Sequence, residues 1–103
     1  MRRVRFSIAA RSDLSNIAKW SRSRWGVEQR DRYIAQLRQR IGQLRERPQL
    51  APEVGRRRPG LRRLSVGSHI VFYRFDDERV FVVRILDQRM DLDAHLDQSA
   101  DDF

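Results

Sequence analysis

A chain of 103 residues suits one domain with one modest core. It contains no cysteine, which excludes disulfides and thiolate metal sites and fits a reducing compartment. The net charge of +8 is unevenly spread: residues 1–75 carry 19 basic and 5 acidic side chains, and residues 76–103 carry 3 and 9. A basic body of this kind attracts nucleic acid or an acidic protein. All but one of the 22 basic residues are arginine, Lys19 being the exception. Codon usage can account for that preference, but not for the excess of positive charge in the body. The N-terminal apolar run, Ile8-Ala9-Ala10, is too short for a signal-peptide core. No run approaches the roughly 20 residues of a membrane span. A soluble cytoplasmic protein with no membrane partner is expected.

Val4 and Phe6 alternate with Arg3 and Arg5, the pattern of a short edge strand. Ser7 is placed to cap a helix in which Ala10, Leu14 and Ile17 form the apolar stripe, with Asp13 near its positive end. Trp25-Gly26 breaks that helix. A second helix is predicted over Val27–Arg47, with Tyr33, Leu37, Ile41 and Leu44 as its stripe and Pro48 as its stop. Two helices joined by one short break pack as an antiparallel hairpin. Residues 48–60, PQLAPEVGRRRPG, hold all three prolines and two of the five glycines and read as a connector. Three strand signals follow. Leu61–Val66 alternates, Gly67-Ser68 is a two-residue turn, His69–Phe75 is β-branched and aromatic, and Val80–Leu86 is a nearly continuous apolar run broken by Arg84. Alternation sets Phe72 on one face and Tyr73 and Phe75 on the other. The expected fold class is α+β, in the order β-α-α-β-β-β, with a helical hairpin packed on an antiparallel sheet. The domain is expected over residues 1–96, with residues 97–103 a fraying acidic tail.

These pieces, in this order, resemble the ParE toxins of the ParE/RelE superfamily. The resemblance rests on Ala10-x-x-Asp13-Leu14-x-x-Ile17, Trp25-Gly26, Tyr33-x-x-x-Leu37, and Leu44 with Pro48. It continues through Gly60-x-Arg62-Arg63, Val66-Gly67, Phe72-Tyr73-Arg74, Val83-Arg84-Ile85-Leu86 and Arg89-Met90-Asp91. It implies a RelE/ParE-like fold and the toxin half of a type II toxin–antitoxin module. It also implies a cognate acidic, ParD-like antitoxin that wraps the toxin in a hetero-oligomer, and poisoning of DNA gyrase by binding. The alternative branch, the RelE-like toxins, cleaves messenger RNA on the ribosome. A third possibility is a toxin that has lost activity and serves only as an antitoxin partner.

Metal-free RNA cleavage requires a group to activate the 2′-hydroxyl, a group to protonate the leaving oxygen, and cations on the phosphate. In the RelE-like pattern these are basic residues on the sheet, an arginine opening the middle hairpin strand and a tyrosine near the C-terminus. Arg63 could match a basic position, but the strand-opening arginine falls at Ile70 and the tyrosine near Leu96. A slip of one residue would place His69 or His95 there; both histidines are expected to be solvent-exposed. No catalytic residue is assigned, and neither a metal nor a cofactor is expected. Where relatives carry histidine in the segment Leu-His-x-Arg-Met-Asp, this chain has Asp87.

The candidate target- or antitoxin-binding residues are the arginines and one aspartate. Arg56, Arg57, Arg58, Arg62 and Arg63 place five guanidinium groups within eight residues, a geometry suited to carboxylates or phosphates. Arg74 and Arg84 interrupt apolar strands, where an unpaired arginine is rare. Asp87, Asp91 or Asp93 is expected to pair with one of them and fasten the tail to the sheet. Arg89 and Asp91 complete the set. Direct nucleic-acid binding is possible but not favoured. The antitoxin is expected along the outer surface of the helical hairpin and the sheet edge.

Overall fold

Local signals fix each element in the computed structural model, which describes residues 2–98. Strand β1 (Arg3–Phe6) turns Val4 and Phe6 toward the core. Ser7 then stops the strand and caps helix α1 (Ile8–Trp25), its Oγ accepting from the Ala10 N–H at 2.9 Å. Gly26, at φ 89°, ends α1 and opens α2 (Val27–Gln43), a left-handed backbone that glycine adopts without steric cost. The predicted stripe of Tyr33, Leu37, Ile41 and Leu44 is buried throughout. The helix does not reach Arg47. After Gln43 the N–H groups of Leu44, Arg45 and Glu46 bond the carbonyls three residues back, and the chain tightens out of the α-helix before Pro48 acts.

The connector leads into β2 (Arg62–Val66), β3 (His69–Phe75) and β4 (Arg79–Asp87), in spatial order β1-β4-β3-β2. Gly67, at φ 58°, takes the first central position of the β2–β3 turn, and a Cβ there would lie 2.6 Å from a Tyr33 ring carbon. β2, β3 and β4 are antiparallel as expected, whereas β1 pairs parallel to β4, so the sheet is mixed. Two tight turns set the direction of β4. The helical hairpin and connector before them span the long crossover that a parallel neighbour requires.

A bulge in β4 decides which residues face the helices. Phe72 pairs with Arg84 and Tyr73 with Val82, leaving Val83 unpaired. Val80, Val82 and Ile85 therefore share the helix-side core with Tyr73, while Val83 and Leu86 join Phe72 on the outer face. The split of Phe72 from Tyr73 and Phe75 is as the alternation predicts. The outer face is covered at one end by Val54 and Leu61 of the connector and by a further helix, α3 (Leu92–Gln98), through Leu92 and Leu96. Sequence reasoning left α3 out. Residues 99–103 of the expected acidic tail lie outside the described residues. No helix among the described residues is long and apolar enough to cross a membrane.

Candidate partner-binding surfaces

Helix α1 meets the bulge and supplies what the interrupted ladder lacks. Pairing of β1 with β4 stops at Phe6 and Val82. Beyond it, Ser7 Oγ donates to the Val83 carbonyl at 2.6 Å, and Asp13 Oδ2 accepts from the Ile85 N–H at 2.9 Å. The same carboxylate takes a two-pronged contact from Arg84: Nε to Oδ2 at 2.7 Å and Nη2 to Oδ1 at 2.9 Å, with both side chains mostly buried. Arg84 Nη1 also donates to the His95 carbonyl at 3.2 Å. Arg84 is thus in a structural ion pair that helps hold the tail, as expected. The anion paired with it is Asp13, however, and not Asp87, Asp91 or Asp93 as expected. Asp13 lies in the second turn of α1 and acts through this pair, not through the helix end.

The tail is held by a second contact, Arg58 Nη1 to Asp93 Oδ1 at 2.8 Å. Asp91 caps α3, its Oδ1 accepting from the Ala94 N–H. Asp87 stays local: it accepts from Arg89, and that contact holds its carboxyl below the usual carboxylate range. The five arginines from Arg56 to Arg63 have different surroundings. Arg62 donates to the Ala51 carbonyl and lies over the Phe75 ring, and Arg58 is committed to the tail. Arg74 donates to the Pro59 carbonyl. Arg56 and Arg57 are exposed, and Arg63 is half-buried.

His69 is buried, contrary to expectation. Its Nδ1 lies 2.6 Å from Tyr33 Oη, which also accepts from the Ser68 N–H and sits 3.2 Å from the Val66 carbonyl. Burial pushes the His69 pKa down from 6.5. Trp20 packs edge-on to His69 and to Trp25. Trp20 is partly covered, and Trp25 is the indole left 45% exposed. His95 is half-buried beside Arg84 in a cleft of about 460 Å3 on one flank of α1, floored by Ile17, Trp20 and His69. The two positions that the nuclease pattern needs to be polar, Ile70 and Leu96, are both buried in the outer-face core.

The opposite flank of α1 carries a different groove, of about 440 Å3, between the two helices. Phe6, Leu14, Ala18 and Ile34 form its apolar floor, and Arg11 and Arg38 stand on its two rims. It runs into a wider concavity at the β1 edge lined by Arg3, Arg5 and Arg79, with Asp77 and Glu78 at the turn. β1 has β4 on one side and no strand on the other among the described residues. An amphipathic helix with an apolar face and acidic flanks would complement the groove, and an extended segment would complement the edge. Sequence reasoning named the hairpin surface but none of these rim residues, because Arg11 and Arg38 meet only after the helices pack.

No group of three or more His, Cys, Asp or Glu residues among those described could hold a metal ion.

Comparison with known proteins agrees with this architecture. The chain is 40% identical to Toxin ParE1 of Mycobacterium tuberculosis over 95 residues, covering 91% of this chain and 97% of that one. It is 41% identical to Toxin ParE1 of Caulobacter vibrioides over 96 residues, covering 93% and 99%. Among solved structures, a chain of the chromosomal ParDE TA system from P. aeruginosa matches with a TM-score of 0.72 at 17% identity, over 84% of this chain and 96% of that one, a likeness of fold. The family described as ParE toxin of type II toxin-antitoxin system, parDE, matches residues 4–92, and the chain belongs to that family.

Proposed function

We propose that this toxin is neutralised by a cognate acidic antitoxin seated in the groove between α1 and α2, and that the freed toxin poisons DNA gyrase by binding. The interhelical groove is the observation that carries the first half. Its floor is apolar, its two rims are arginine, and its open end leads to an unpaired strand edge. An acidic segment folding into it would bury its apolar face while its carboxylates meet Arg11 and Arg38. The gyrase half rests on family membership and on the chemistry that is missing. Ile70 and Leu96 can neither contact phosphate nor transfer a proton, which disfavours the ribosome-dependent nuclease. No residue is assigned a catalytic role. The connector arginines Arg56 and Arg57 and the β2 arginine Arg63, with the tail from Asp87 to Leu96, are the surfaces proposed to meet the target.

Induced expression in a bacterium without the antitoxin tests the reading. Growth arrest with a DNA-damage response and stalled replication is expected. Growth arrest with transcript cleavage and rapid loss of translation would transfer the chain to the nuclease branch. Unimpaired growth would remove both active readings. Replacing Leu14 and Ile34 with glutamate should abolish antitoxin capture while leaving arrest intact.

A further inference from the structure

The outer face of the sheet is basic in a way that the linear sequence hides. Arg3 pairs with Arg79 across the parallel β1–β4 ladder, and Arg5 pairs with Phe81. Phe81 pairs in turn with Arg74 on β3, and Phe72 on the same face pairs with Arg63 on β2. Paired residues share a face, so each of the four strands places an arginine on the side away from the helical hairpin. α3 and the connector cover the far end of this face. The β1 end remains an open concavity of about 850 Å3, with Arg3, Arg5 and Arg79 exposed and Phe81 partly exposed among them. The carboxylates of Asp77 and Glu78 close the concavity at the β3–β4 turn.

We propose that this open end of the outer sheet face binds a single-stranded polynucleotide, with Arg3, Arg5 and Arg79 on its phosphates and Phe81 under a base. Guanidinium groups around an aromatic ring on a strand face supply the two contacts such ligands use, backbone charge neutralisation and base stacking. A duplex fits poorly. Its bases are stacked inward and cannot reach Phe81, and the described helix on this face, α3, covers the far end and not the β1 concavity. The acidic turn sets the path: the strand crosses Phe81 beside Arg3 and Arg5, away from Asp77 and Glu78. This surface shares only Phe6 and Arg11 with the interhelical groove. It is the concavity into which the interhelical groove opens, so an antitoxin segment on the β1 edge would compete with the polynucleotide for it, whereas gyrase inhibition is read separately.

Fluorescence anisotropy of the full chain with labelled oligothymidylate, oligouridylate and a duplex of equal length, from 50 to 200 mM salt, tests it. Binding of single strands tighter than of the duplex is expected, weakening linearly on a log–log salt plot. Arg5→Gln and Arg3→Gln should each reduce the slope by about 0.7. Phe81→Leu should weaken binding about tenfold and leave the slope unchanged, because stacking carries no counterion release. Phe81→Met serves as the second variant should leucine lower the melting temperature. Preference for the thymidylate assigns the site to DNA, and preference for the uridylate assigns it to RNA. Absence of binding at 50 mM salt overturns the proposal. So does tighter binding of the duplex, a salt slope indifferent to Arg3 and Arg5, or an affinity indifferent to Phe81 in a folded variant.

Discussion

Replacing Asp13 with alanine tests the junction on which the fold depends most. The carboxylate accepts two charge-assisted bonds from Arg84 and one from the Ile85 N–H, all at 2.9 Å or shorter. Its side chain is 11% exposed and that of Arg84 is 13% exposed, so little water can replace the lost partner. Removing one member of a buried pair costs about 3–5 kcal/mol. Residual solvent access at this pair argues for the lower end, about 3 kcal/mol, which includes the orphaned Ile85 amide. For a domain of this size, each kcal/mol moves the melting temperature by roughly 4–8 °C, so a fall of about 12–24 °C is expected. Asp13→Asn keeps an acceptor for the Ile85 N–H and should cost less. Urea unfolding of Asp13→Ala, Arg84→Met and the double variant separates the pair from its surroundings. A coupling of about 2 kcal/mol or more is expected. If Asp13→Ala cost under about 1 kcal/mol, or the coupling were near zero, the junction would not fasten α1 to the bulge as argued.

Other changes probe the second junction, where Tyr33 packs on the β2–β3 turn. Gly67→Ala should destabilise by about 2–4 kcal/mol in urea unfolding, since the new Cβ meets the Tyr33 ring at 2.6 Å and φ is 58°. Tyr33→Phe should cost about 1–3 kcal/mol, because the His69 Nδ1 and the Ser68 N–H both lose the Tyr33 hydroxyl. Burial holds His69 neutral in the fold, with its pKa below the unfolded value of 6.5. The unfolded chain therefore binds the proton first as pH falls. Stability should be flat above about pH 7 and should decline as pH drops through 6.5 toward the lower folded value. His69→Asn should abolish that decline, as read from denaturant midpoints between pH 5 and 8. Asp93→Ala should loosen α3 selectively, seen as faster hydrogen exchange in residues 92–96 with little change in the sheet, because the 2.8 Å contact between Arg58 and the Asp93 carboxylate is lost.

The helical stripes, the glycine turn and the alternation of β3 were legible because each is set by contacts within a few residues. The helix-side stripe of α2 needed no knowledge of the sheet to be found. What escaped depends on residues far apart in the chain. Asp13 and Arg84 are separated by 71 positions, and the nearer tail aspartates were the obvious partners until the bulge brought α1 over β4. His69 was expected at the surface because it begins a strand beside a turn; Tyr33, 36 positions away, buries it. The parallel setting of β1 follows from how many times the chain reverses, which no local pattern records. α3 was within reach: Leu92 and Leu96 are one helical turn apart behind Asp91 as cap, but only two apolar positions in a run of aspartates make a faint stripe. For the arginines from Arg56 to Arg63 the density was legible and the division of roles was not. Their density in sequence suggested one binding patch, yet Arg58 and Arg62 serve the fold itself.

A gyrase assay with the purified chain decides whether gyrase is the target. Supercoiling of relaxed plasmid and trapping of cleaved plasmid are measured in one titration, with and without the antitoxin. Supercoiling is expected to fall, double-strand breaks to accumulate, and a stoichiometric amount of antitoxin to reverse both. Full supercoiling with no trapped breaks, from a chain that still captures its antitoxin, would contradict gyrase as the target.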